Sequence, residues 1–240
     1  MIVPFPTQND LASRSAIVGS TGGQIVAFYT TDSIYEAEAR RMVTSAKRLG
    51  LALSPTPMQS TGSWVKNASM KAEFLLAERK ATRGPLLYVD VDAVFHRDPW
   101  PALLEYDCDI SVYYHLDGRL ASGTILINDT PSAHKLIAVW RDRSNANQEI
   151  WDQVVLQEII AEDLQSGKPK YRVKKLPVSF CWIFDRLTNG LPETVYIEHL
   201  QASREAKIKP RLFGRIDGHV ARRRERTTDI ELILNADQSS

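Results

Sequence analysis

The sequence predicts an α/β fold, with a mainly parallel sheet flanked by helices in a single domain, and three observations predict it. Apolar runs of strand character alternate with stretches of helical spacing along most of the chain. One of those runs, Leu86–Val91 (LLYVDV), stays apolar almost to its end, as a fully buried strand does. With 43% hydrophobic and 25% charged residues, 240 residues suffice for one substantial core and fit neither a disordered nor a fibrous chain.

Taken in order, residues 1–23 are polar and turn Gly/Ser/Thr-rich, which makes them a lead-in to a domain spanning 24–240. Gln24–Thr30 (QIVAFYT) is rich in β formers and is the first expected strand. Asp32 or Ser33 then caps a helix running to about Leu49, which Gly50 ends. LALSPTP is a short strand entering a Pro-broken loop, and Lys66–Lys80 has helical spacing. Gly84-Pro85 turns the chain into Leu86–Val91. Strands are expected next at Asp109–Tyr114 and Leu120–Asn128, then helices near Ser132–Arg141 and Trp151–Leu164. Tyr171–Leu176, Thr194–Ile197 and Ile230–Leu234 complete the expected strands.

The start, MIVPFPTQND, lacks the basic and apolar regions of a secretion signal, and no apolar run is long enough to cross a bilayer. Cys108 and Cys181 are too few for a disulfide scaffold, and two ordinary thiols fit a cytoplasmic protein. The net charge of +1 hides an asymmetry. From Gln201 to Arg226 nine basic residues face three acidic ones, so that segment carries +6 and the remainder −5. Such a segment is either a solvated tail or a contact for a polyanion: a diphosphate, a nucleic acid or a membrane surface.

The chemistry concentrates where Leu86–Val91 ends, at Asp90 and Asp92. In α/β sheets the ligand crevice lies outside the carboxyl ends of strands. Two carboxylates two residues apart on a strand share a face, so both reach one hard cation, Mn²⁺ or Mg²⁺. Asp is common in turns, but here Asp90 interrupts an apolar strand, where an unpaired charge is costly. Haloacid-dehalogenase-type phosphatases would need a later strand ending in paired acids, and none is evident. Y-family polymerases carry a similar phrase, but at the extreme N-terminus.

Several phrases in order then make the chain resemble nucleotide-diphospho-sugar transferases of the GT-A (Rossmann-like) fold, close to the glycosyltransferase family eight type. Lys71-Ala-Glu-Phe-Leu-Leu leads through Gly84 to YVDVDAVFHRDP, similar to that family's lysine-bearing helix, strand and metal site. ASGTILINDTPSAHKLIAVW, Trp151-Asp152-Gln153 and Tyr196-Ile-Glu-His199 follow in the family's order. The resemblance covers Gln24 to Pro210. It implies a hexosyltransferase-like enzyme with a nucleotide-sugar donor, a UDP-sugar first among them, and a metal held by Asp90, Asp92 and His199. It places the donor's base and ribose at Phe28, Tyr29 and Thr30.

Under the same resemblance Lys71 contacts a phosphate or the sugar, or is a solvated helical lysine. Ser122 and Gly123 form a floor under the donor sugar, or Gly123 marks a bulge. Asp152 faces the sugar or the acceptor, or only caps its helix. Lys207 or Lys209 reaches the diphosphate. An inverting reaction would take Asp152, then Asp117, as general base, while the family likeness leans toward retention. The acceptor stays open. A phage-type enzyme acting on hydroxymethylated pyrimidines of DNA fits the basic segment, a lipid-linked or polysaccharide acceptor fits equally, and a catalytically inactive binding module is the reading of another class.

Overall fold

The computed structural model describes residues 4–7, 22–186, 192–206 and 218–238. Its centre is β4 (Leu86–Val89), the apolar strand expected from LLYVDV. Leu86 and Tyr88 point into one hydrophobic layer and Leu87 and Val89 into the other, and all four are buried. That is the period-two consequence of a strand covered on both faces. Beside it lie β1 (Gln24–Val26), parallel to β4, and β7 (Leu120–Ile127), antiparallel to it. β6 (Ile110–Tyr114) runs antiparallel to β7 and parallel to β8 (Val173–Leu176), giving the order β1-β4-β7-β6-β8. The sheet is therefore mixed: β1 and β8 pair parallel, while β7 runs against both its neighbours.

The expected first strand divides at Ala27. Its carbonyl accepts from Thr56 N, and β2 (Phe28–Thr30) leaves the main sheet to pair with β3 (Thr56–Met58). The helix that follows, α1 (Tyr35–Lys47), starts later than Asp32 or Ser33 would set it. Asp32 instead adopts a left-handed turn with φ 54°, and Ser33 Oγ accepts from Tyr35 N at 3.2 Å. Gly50, at φ +70°, ends the helix as its lack of a side chain permits.

α2 (Trp64–Ala81), capped by Ser63, packs with α4 (Pro131–Ala146) and α5 (Asp152–Gln165) against one face of the sheet. α1 covers the other face. After β4 the chain forms β5 (Ala93–Phe95) and a short helix α3 (Trp100–Leu103). A smaller sheet joins β5 to β10 (Ile197–His199), antiparallel, and β10 to β9 (Trp182–Ile183), parallel. β10 begins where the expected Thr194–Ile197 strand was to end. Among the described residues no helix is long and apolar enough to cross a membrane, and Cys108 and Cys181 are both free and buried.

The C-terminal segment corrects the reading of Ile230–Leu234 as a strand. After the short α6 (Ser203–Ala206), residues Gly218–Gln238 form one helix, α7. Val220, Arg223, Arg226, Thr227, Ile230 and Leu234 are its buried positions, a helical stripe at steps of three or four that the apolar run at its end obscures. Ile230 and Leu234 pack with Phe5, Trp182, Phe184 and Leu200.

The basic run within this helix is paired from inside the chain. Arg223 bonds Glu38 and Glu205, Arg224 bonds Glu205, and Arg222 reaches Asp185 at 3.3 Å. Arg226 forks onto both oxygens of Glu198 at 2.7 Å each. The premise that this charge needs an external anion therefore fails for these four arginines. Arg204 likewise forks onto Asp185 at 2.8 Å, and the remaining basic residues of the segment, Lys207, Lys209, Arg211 and Arg215, lie outside the described residues.

Glu198 is fully buried between Arg226 and His96 Nε2, the latter 2.6 Å away. Arg226→Ala would leave that carboxylate short of its cation. Its expected cost is about 3–5 kcal/mol, read as a lower urea midpoint. A midpoint equal to wild type would show the pair to be dispensable.

Candidate functional site

The site starts from the way β4 ends. Asp90 N donates to Gly123 O at 2.7 Å, carrying the β4–β7 ladder one residue past Val89. Ala93 N then bonds Asp90 O at 3.0 Å and closes a tight turn. Within that turn Asp90 and Asp92 leave the apolar core together. β5 leads away antiparallel to β10 with Ala93 opposite His199, and Leu200 N donates to Asp92 O at 2.9 Å. This register carries a histidine from far along the chain to the paired carboxylates.

One ligand atom from each of Asp90, Asp92 and His199 lies within 4.8 Å of the others. Thr124 Oγ1, 2.8 Å from His199 Nε2, orients the ring, and Nδ1 stands 3.7 Å from Asp92 Oδ1. Burial opposes a proton on His199, but Cys181 and the Asp92 carboxylate outweigh it and raise the imidazole to about 10. Burial likewise opposes charge on Asp92, yet His199 and the Ala202 N–H, 2.7 Å from Oδ2, hold its carboxyl below the usual range. Gln201 takes a left-handed conformation, φ 57°, just before that N–H. Such a conformation is uncommon for a residue other than glycine.

Two carboxylates and an imidazole are hard oxygen donors plus one nitrogen, a set that fits Mn²⁺ or Mg²⁺. His199 would have to give up its proton to join that set.

Beside this cluster the ammonium of Lys71 is buried, 3.0 Å from Asp90 Oδ1 and 3.0 Å from Asp152 Oδ2. It also donates to Ser122 Oγ and to Ser122 O, at 2.9 and 3.1 Å. Burial would strip its proton, but Asp152 and Asp90 outweigh burial and raise it above the usual lysine range. Lys71 is thus not a solvated helical lysine. Asp152 opens α5 without capping it; its carboxylate accepts from Ser122 Oγ at 2.7 Å, and Trp140 Nε1 fixes its backbone carbonyl at 2.9 Å. Tyr88 Oη donates to Asp90 Oδ1 at 2.7 Å.

These groups line one cavity of about 430 Å³, within the ordinary range for a ligand site. Phe28, Tyr29 and Thr30 line it as well. Asp117 does not. It sits in the turn between β6 and β7, where Arg119 binds its carboxylate at 2.6 and 2.9 Å and holds it down to about 2. A carboxylate held that low is a poor general base.

Tyr88, Trp64, His115, Arg186 and Gln201 were not read from the sequence, and Thr124 was read only as part of the strand with Ser122 and Gly123 under the donor sugar, not as the partner of His199. Thr124 carried a signal, being the second polar residue on one face of an apolar strand after Ser122. Arg186, which donates to His115 at 2.8 Å, carried none.

Comparisons with known proteins agree with this architecture. The family model described as nucleotide-diphospho-sugar transferase matches residues 69–208, more than half of the chain. No curated protein matches the chain significantly by sequence. In three dimensions it is similar to a glycosyltransferase involved in glycosylation of the major capsid of PBCV-1, with a TM-score of 0.57 and 10% identity. That alignment covers 87% of this chain and 99% of the other. It is also similar to the apo form of glycosyltransferase GlyE of Streptococcus pneumoniae TIGR4, with a TM-score of 0.55 and 14% identity over 92% of this chain. The match covers 64% of GlyE, so the chain spans less than two thirds of that protein. At these identities the likeness shows the fold, which is GT-A.

Gly123 is where the geometry leaves least room. A Cβ there would fall 2.9 Å from His199 Cε1 and 3.3 Å from Asp90 Oδ2. Gly123→Ala should cost about 1–3 kcal/mol in urea unfolding and shift the His199 imidazole resonances. Unchanged stability and spectrum would mean that the ring and backbone yield freely.

Proposed function

The chain belongs to the nucleotide-diphospho-sugar transferases, and on that premise we propose that it moves a sugar from a UDP-sugar to an acceptor hydroxyl with a divalent cation at Asp90, Asp92 and His199. The observation that supports this most is the convergence of those three side chains at the end of β4, inside the same cavity as Lys71 and Asp152. Mn²⁺ or Mg²⁺ bound there would neutralise charge on the departing diphosphate.

The chain's own groups supply the rest. Phe28, Tyr29 and Thr30 hold the uracil and ribose, at the end of β2 that opens onto the cavity. Ser122 and Gly123 form the floor beneath the sugar, where a backbone without a side chain lets the ring approach. Lys71 keeps Asp90 and Asp152 at fixed separation and balances their charge. Asp152, held through Oδ2, turns its remaining acceptor capacity to a sugar hydroxyl.

Asp152 is engaged by Lys71 and Ser122 and its free oxygen is assigned to a sugar hydroxyl, which leaves no carboxylate assigned as base and favours retention over inversion. The acceptor oxygen bonds to the anomeric carbon as the bond to the diphosphate oxygen breaks. The electron pair leaves with UDP, and the acceptor's proton passes to the departing phosphate oxygen.

Asp92→Asn should fold yet bind UDP in the presence of Mn²⁺ at least tenfold more weakly by calorimetry. Equal affinity would remove Asp92 from the site. The anomeric configuration of the product, followed by NMR from a UDP-α-sugar, is expected to be α. A β product would require a base that this reading does not assign.

A further inference from the structure

The donor assignment leaves two aromatic residues of the cavity lining unused. Trp64 is the first residue of α2 and Trp151 the last before α5, so two helix starts bring them together. Their rings meet edge to face with centroids 5.2 Å apart at 75°. Both line the cavity, and Trp151 is 41% exposed. Asp152, the next residue, carries the carboxylate bound by Lys71, so the Trp151 ring stands one residue from the centre of the site.

Two exposed apolar side chains lie on the elements around Trp151. Val154, one turn along α5, is 39% exposed, and Leu116 is 80% exposed in the turn that Gln157 ties to α5. Gln157 Nε2 donates to Gly118 O, and its Oε1 accepts from Leu120 N. An amide and a guanidinium, Gln153 and Arg186, also line the cavity. A broad aromatic face beside planar hydrogen-bonding groups suits a pyranose ring. The ring's C–H face is apolar and covers the indole, while its hydroxyls reach outward to the amide and the guanidinium.

We propose that Trp151, steadied by Trp64, is the platform for the ring of a carbohydrate acceptor. The inference rests on the donor reading above only for its direction, since it assigns the aromatic lining that the donor leaves unused. Duplex DNA fits less well. The four arginines of α7 that might have tracked a phosphate backbone are committed to Asp185, Glu38, Glu205 and Glu198. Arg119 is committed to Asp117.

The test uses the full chain with Mn²⁺ and UDP, titrated with methyl β-glucoside, methyl β-galactoside, N-acetylglucosamine and lactose under saturation-transfer NMR. A duplex carrying 5-hydroxymethylcytosine forms a separate arm, and transfer from UDP-sugars is assayed in parallel. At least one saccharide should bind and accept sugar. Trp151→Ala should lower its kcat/KM about tenfold, mainly through acceptor KM, and Trp151→Phe should restore most of the loss. Affinity for UDP with Mn²⁺ should stay at the wild-type value in both variants. The proposal is overturned if Trp151→Ala accepts saccharides as well as wild type, if the DNA duplex alone is modified, or if UDP binds and no saccharide does. Absence of UDP binding in the wild-type protein would instead sink the donor reading, and saccharide binding in that case would leave the platform standing.

Discussion

The site depends on one buried cation. Asp90 and Asp152 come from separate elements, and both bond the Lys71 ammonium at 3.0 Å. Without a positive charge between them, two carboxylates at that spacing would repel in surroundings where water screens little. With it, Lys71 becomes a hub. Its further bonds to Ser122 tie α2 to β7, and Tyr88 and Ser122 donate to the same carboxylate oxygens of Asp90 and Asp152. A polar network of this kind stiffens a site because each member is hydrogen-bonded to another.

A second buried network stands behind the first. Glu198 precedes His199 on β10 and is held by His96 and Arg226, while Arg223 of α7 reaches Glu38 on α1. The C-terminal helix thus braces the strand that presents His199. Its four arginines, Arg222, Arg223, Arg224 and Arg226, equal in number its acids Glu225, Asp229, Glu231 and Asp237, but their ion-pair partners Asp185, Glu38, Glu205 and Glu198 lie on other elements. Read as a block of charge this segment points outward to a polyanion; read with its partners it points into the protein.

The sequence was most legible where one residue pattern permits one outcome. LLYVDV reads as a buried strand ending in acids, which brings out Asp90 and Asp92, whereas His199 came only from the family resemblance of Tyr196-Ile-Glu-His199. Pairings were less legible. Nothing in Leu120–Ile127 says that it runs antiparallel to β4, because a strand buried on both faces has the same composition in either direction. Ile230–Leu234 misled for a related reason: its apolar residues suit a strand, but the positions that matter, from Val220 to Leu234, repeat every three or four residues. Asp117 misled because a turn carboxylate looks the same whether it is offered to a substrate or, as here, taken by Arg119 two residues on.

The β5–β10 pairing also sets when the site can exist during folding. Asp90 and Asp92 follow β4, which pairs with β1 and β7, whereas β10 brings His199 to them only by pairing with β5, where His199 lies opposite Ala93, a more distant contact along the chain. Such long-range closures carry a larger entropy of loop formation and come late in folding. The strand that delivers His199 is held by Arg226, which is translated later still. During synthesis the ribosome therefore releases a chain whose sheet can consolidate well before its three-residue cluster is complete. Competence to act is thus coupled to arrival of α7.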